Sequence, residues 1–110
     1  MAYVAKHRYA RIAPRKARLI ADMIRGRKVD DALTILNFAK QRASGLIAKV
    51  IQSAAANASE QQADTRRLVV TKCYVDPGPV MKRFQPKDRG KAYSIMKRTS
   101  HIVVEVDERD

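Results

Sequence analysis

An α+β fold is predicted: a small antiparallel sheet packed on three helices, with a long protruding β-hairpin arm. Three observations predict it. Apolar residues recur at helical spacing in separate segments of the first 60 residues. Two β-branched, strand-like runs follow, at 68–76 and 99–107. Between them, residues 79–101 are too long for a hairpin turn of about 2–5 residues. They are also too basic, and too poor in core side chains, to fold on themselves.

The elements follow in order. Residues 3–9, YVAKHRY, alternate as a short strand. Tyr3, Ala5, His7 and Tyr9 are expected on one face, and Val4, Lys6 and Arg8 on the other. Pro14 suits the first position of a helix, and Gly26 a left-handed cap after its last turn. Between them, Ala17, Ile20, Ala21 and Ile24 share an apolar face, with Arg15, Arg18, Asp22 and Arg25 opposite. The apolar face is for the core, the basic one for a partner. Asp30 or Asp31 is expected to cap a short second helix over 32–38. A third helix carries Ala43, Leu46, Ile47, Val50, Ile51, Ala54, Ala55 and Ala58 at i, i+3, i+4 spacing. Its alanines allow close packing, and Gly45, near its start, costs some propensity. Residues 60–67 read as a loop and 68–76 as a strand. Asp76-Pro77-Gly78-Pro79 is expected to break regular pairing and redirect the chain. In 99–107, Ile102, Val104 and Val106 face one way, and His101, Val103 and Glu105 the other. The 110 residues fit one domain, with a body at 1–78 and 102–110 and an arm at about 79–101.

Charge narrows the function. The chain carries a net charge of +12, and its partition is uneven. Residues 1–28 hold +8 and residues 79–101 hold +6, against +1 for 29–78 and −3 for 102–110. Charge placed only for solubility would not segregate in this way. Nucleic acid is the leading partner. An anionic membrane surface ranks second, but the basic helix has few large apolar residues to insert, so no membrane is expected. The single cysteine, Cys73, excludes an internal disulfide and fits a small core residue in a reducing cytosol. No apolar run approaches the ~18 residues of a membrane span, and the N-terminus lacks a signal-peptide core.

If the runs flanking the basic segment pair, 81–86 and 92–98 leave the body together. Ten residues of strand reach roughly 30 Å. An isolated, like-charged ribbon is marginal in water, so it is expected to order on its partner. Met81, Phe84, Tyr93 and Met96 are interleaved with the cations and suit base stacking while Lys and Arg meet phosphates. Catalytic signatures are absent. No glycine-rich phosphate loop occurs, no cofactor is implied, and neither the cysteine nor Asp30-Asp31 suggests a metal site. His7 and His101 are the only histidines. A two-histidine nuclease is one rival reading. An architectural DNA-binding protein with basic β-arms is another. Such arms work in obligate dimers, and no spare apolar face for one is expected here, so no homo-oligomer is either.

Two blocks bear a family resemblance: AKHRYARIAPRKARLIADMIRGRKVDDAL at 5–33 and VDPGPVMKRFQPKDRGKAYSIMKRTSHIVV at 75–104. Together they resemble the family of ribosomal protein twenty-two of the large subunit, in its bacterial form. The resemblance implies a non-catalytic α+β body on large-subunit ribosomal RNA that helps assembly. It also implies a hairpin reaching the wall of the nascent-peptide exit tunnel. The implied partners are that RNA, neighbouring ribosomal proteins including ribosomal protein four, and the nascent polypeptide, in the cytoplasm. By position, Met81, Lys82 and Arg83 begin the arm. Pro86, Lys87, Asp88, Arg89, Gly90 and Lys91 form its tunnel-facing tip. Lys97, Arg98, Thr99, Ser100 and His101 close its base against RNA. His7, Arg8, Arg11, Lys16 and Arg18 match the basic N-terminal block, and Lys6, Arg15, Arg25, Arg27 and Lys28 extend the RNA-binding set. Asp88 at the tip and Pro77 at the entry depart from the family pattern.

Overall fold

The computed structural model describes residues 2–87 and 91–109, and over 81–87 and 91–97 the backbone alone. Strand β1 (Tyr3–Ala10) leads into helices α1 (Pro14–Ile24), α2 (Val29–Phe38) and α3 (Arg42–Glu60). A 3-10 turn at Thr65–Arg67 then opens the long strands β2 (Leu68–Lys87) and β3 (Lys91–Glu108). The sheet order is β1-β3-β2, antiparallel throughout, so β3 is central.

Period-two alternation builds the inner face of the sheet. Ala5, Val70, Cys73, Val75, Ile102, Val104 and Val106 are buried there in one core cluster with the helices. Ile20 and Ile24 enter it from α1, and Ile47, Val50 and Ile51 from α3. Ala43, Ala54 and Ala58 are buried along α3, and their small side chains let it sit close to its neighbours.

Two local expectations change, and two hold with a difference. Strand β1 pairs regularly from Tyr3↔Val106 to His7↔Ile102, then resumes at Ala10↔Ser100. Arg8 and Tyr9 therefore share one partner position, His101, which makes a β-bulge. The extra residue reverses the alternation. Ala10 is thereby buried, and Tyr9, expected inward with Tyr3, is 61% exposed.

Helix α2 starts at Val29, not at residue 32, because Val29 is itself buried in the core. Asp30 and Asp31 are thus not caps. They lie in the first turn, where carboxylates oppose the positive end of the helix dipole. Gly26 adopts the expected left-handed φ of 84° just past the end of α1 at Ile24, but its N–H does not return to the helix. Its N–H instead donates to the Val70 carbonyl at 2.8 Å, and the Val70 N–H donates to the Arg27 carbonyl at 2.8 Å, tying the helix exit to β2.

The 76–79 segment breaks regular pairing, as expected, by a bulge, and the strand continues beyond it. Pairing passes from Pro77↔Ser100 to Val80↔Arg98, leaving Gly78 and Pro79 opposite Thr99. A side chain at 78 would collide with Thr99 Oγ1, so only glycine fits there. Beyond the bulge, the ribbon stays in register from Val80↔Arg98 to Lys87↔Lys91. The radius of gyration is 16.9 Å, against about 13 Å for a compact chain of this length, so the ribbon projects from the body.

Cys73 lies 1% exposed in β2, and burial pushes its thiol up to about 11 from 9.0, with the Arg25 charge opposing. A raised acid pKa favours the folded state fully below pH 9 and loses that preference as pH climbs to about 11. Unfolding free energy is therefore expected to fall across that window, and to fall less in Cys73→Ala. Urea titrations of both proteins at pH 8, 9.5 and 11 measure the difference, and parallel curves would contradict it.

Candidate nucleic-acid interface

The basic N-terminal residues divide into two groups once the fold is drawn. Strand β2 is an edge strand, and the outward carbonyls of its body half need partners. Arg25 Nη2 and Nε donate to the Cys73 carbonyl at 2.7 and 3.2 Å, and Arg25 Nη1 pairs with Asp22 at 2.9 Å. Arg18 Nε donates to the Val75 carbonyl at 3.2 Å. Arg27 Nε donates to the Met23 carbonyl at 2.9 Å. The supposedly free face of α1 thus lies partly along β2, where its arginines cap the edge.

The second group is open. Lys6, Arg8, Arg11, Arg15, Lys16, Lys28 and Arg98 are exposed. Among the described residues, none of their side chains has a hydrogen bond or ion pair. Lys6, His7 and Arg8 line a shallow depression of about 230 Å³ between β1 and α3, completed by Lys49, Val50 and Ser53. Basic residues from two elements beside a concavity of that size suit a phosphate. Lys49 and Ser53 went unnoticed in the sequence because their helix reads as a core helix. Only the β1–α3 contact makes their outer faces part of a basic surface.

Two residues expected to face RNA do not. Ser100 is fully buried, and its hydroxyl donates to the Ile12 carbonyl at 2.6 Å. Thr99 is 4% exposed, and its hydroxyl donates to the Pro79 carbonyl at 2.7 Å. Thr99 closes the base of the arm on itself, and Ser100 ties that base to the segment between β1 and α1. The side chains of Lys82, Arg83, Pro86, Lys87, Lys91 and Lys97 lie outside the description, as do Met81, Phe84, Tyr93 and Met96. Asp88, Arg89 and Gly90 lie outside the described residues altogether.

The histidines do not form a dyad. His7 is paired with Ile102, on the inner face, whereas His101, the next residue along β3, points to the outer face. His101 Nδ1 is also occupied, accepting the Tyr9 N–H at 3.1 Å. No group of three or more metal-ligating side chains occurs among the described residues. Leu19 and Met23 of α1 and Phe38 of α2 are 65, 45 and 83% exposed, and Met23 and Phe38 line one open depression. Among the described residues, no helix is long and apolar enough to cross a membrane.

An α+β body with open cations, extended by a two-stranded basic ribbon, fits the class of nucleic-acid-binding proteins. The family model of ribosomal protein L22p/L17e matches residues 5–107, and the chain belongs to that family. The protein is therefore a structural component of the large ribosomal subunit, acting in translation in the cytoplasmic ribosome. The family is structural and not enzymatic.

Proposed function

We propose that this chain anchors its body on large-subunit ribosomal RNA through the open cations of β1 and α1. Its β2–β3 ribbon extends to the wall of the nascent-peptide exit tunnel. In this reading the protein helps the RNA fold during assembly, has no catalytic activity of its own, and meets ribosomal protein four and the nascent polypeptide near the ribbon tip. The observation that carries it is the continuous register from Val80↔Arg98 to Lys87↔Lys91. That pairing commits both strands to a projection whose sequence bears Lys82, Arg83, Lys87, Lys91 and Lys97. Such a ribbon has no apolar reason to leave the body and a strong electrostatic reason to enter RNA.

The salt dependence of binding to a large-subunit ribosomal RNA fragment tests the first part. The logarithm of the affinity should fall linearly with that of salt, each phosphate contact adding roughly 0.7–0.9 to the slope. A flat response would refute the reading. Co-sedimentation with large subunits, and crosslinks from residues 86–91 to nascent chains, test the tunnel placement. Crosslinks confined to the outer surface of the subunit would refute that placement while leaving RNA binding intact.

A further inference from the structure

We propose that the β1 bulge builds a stacking site for one unpaired RNA base, formed by the Tyr9 ring braced on His101. The inference rests on the RNA binding proposed above. Tyr9 has a φ of 59°, in the left-handed region that a bulky residue other than glycine adopts only at a cost. Folding does not recover that cost by burial, since Tyr9 stays 61% exposed. The conformation is nevertheless held from two sides. The Tyr9 N–H donates to His101 Nδ1 at 3.1 Å. The two rings meet edge to face, with centroids 4.9 Å apart at 87°.

An edge-to-face contact occupies at most one face of the tyrosine ring, so another face remains for a base. Because Nδ1 accepts, the proton of the neutral histidine ring sits on Nε2, leaving an N–H donor for a base edge, a 2′-hydroxyl or a phosphate. The surroundings match. Tyr74 is 44% exposed and paired with Val103, on the same outer sheet face as His101. Lys6, also paired with Val103, is exposed on that face, and Arg8 shares the bulge with Tyr9. An open sheet face with aromatic rings set among cations suits single-stranded RNA, whose bases are free to stack. A duplex hides its base faces and offers this site nothing.

The chain contains no tryptophan, so Tyr9→Trp places a single fluorescent reporter at the site. Its emission should be quenched by a single-stranded oligouridine and not by an RNA duplex of equal length. Tyr9→Phe should bind the single strand within about twofold of the parent. Tyr9→Gly should lose about 5- to 150-fold, the worth of one stacked base, with the salt slope unchanged. Glycine relieves the left-handed strain, so thermal stability should hold or rise, which separates lost stacking from misfolding. Equal affinities of Tyr9→Gly and the parent, or equal quenching by strand and duplex, overturn the site. If the parent keeps a steep salt slope in that case, the RNA-binding reading stands and the stacking site alone falls. A flat slope in the parent removes both.

Discussion

Replacing Arg8, Arg11, Arg15 and Lys16 together by glutamine is expected to weaken binding to large-subunit ribosomal RNA by about 10²–10³-fold at 0.15 M salt. The salt slope should shrink by about 3–4, because each cation in phosphate contact contributes roughly 0.7–0.9. All four residues are exposed, and among the described residues none of their side chains has an internal partner. Glutamine keeps most of the side-chain bulk, so the folded state should be unaffected. Filter binding at four salt concentrations, with a thermal melt of each protein, provides the check. A slope equal to the parent's would show that the N-terminal block does not touch phosphate. The same exchange at Arg18 and Arg25 should behave differently. It would uncover the Val75 and Cys73 carbonyls on the edge of β2, so stability should fall along with affinity.

The largest effect on stability is expected at Ile51. Its side chain is 0% exposed, on the face of α3 that packs into the core. Ile51→Ala removes three carbons from a site enclosed by the sheet and helices, at a cost of about 2–5 kcal/mol. A domain of this size has only about 5–15 kcal/mol to lose, so the midpoint should drop by about 10 °C or more. A calorimetric melt reads it directly, and a shift under about 3 °C would mean that the core collapses around the cavity. The result bears on function because α3 carries Lys49 and Ser53 against β1. Loosening the helix should weaken RNA binding with no change in charge.

Much of this architecture is visible in residue order. Ala17, Ile20, Ala21 and Ile24 mark the buried stripe of α1, and the apolar positions of α3 do the same over a longer span. Periodicity is local, so such stripes are read without knowing what they pack against. The basic ribbon is visible for a related reason: a charged segment between two strands has no other place to go.

Apart from the start of α2, which the burial of Val29 sets, the misreadings share one cause, which is contact over long range. Nothing within YVAKHRYA distinguishes Tyr9 from Tyr3. The bulge exists because β1 must place both Ala5 and Ala10 against a β3 partner on the core side, Val104 and Ser100, and an odd spacing requires an extra residue. Thr99 and Ser100 look like RNA ligands beside Lys97 and Arg98, yet their hydroxyls close on Pro79 and Ile12, the latter 88 residues away along the chain. Arg18 and Arg25 look like Arg15, yet only they reach an edge strand.

The residues at 79–101 therefore announced a polyanion-seeking arm unaided, because charge and length are additive along a chain. Which cations stay open, and where an aromatic ring is held out from the sheet, depended on register and edge exposure. Those are properties of strands brought together from opposite ends of the molecule.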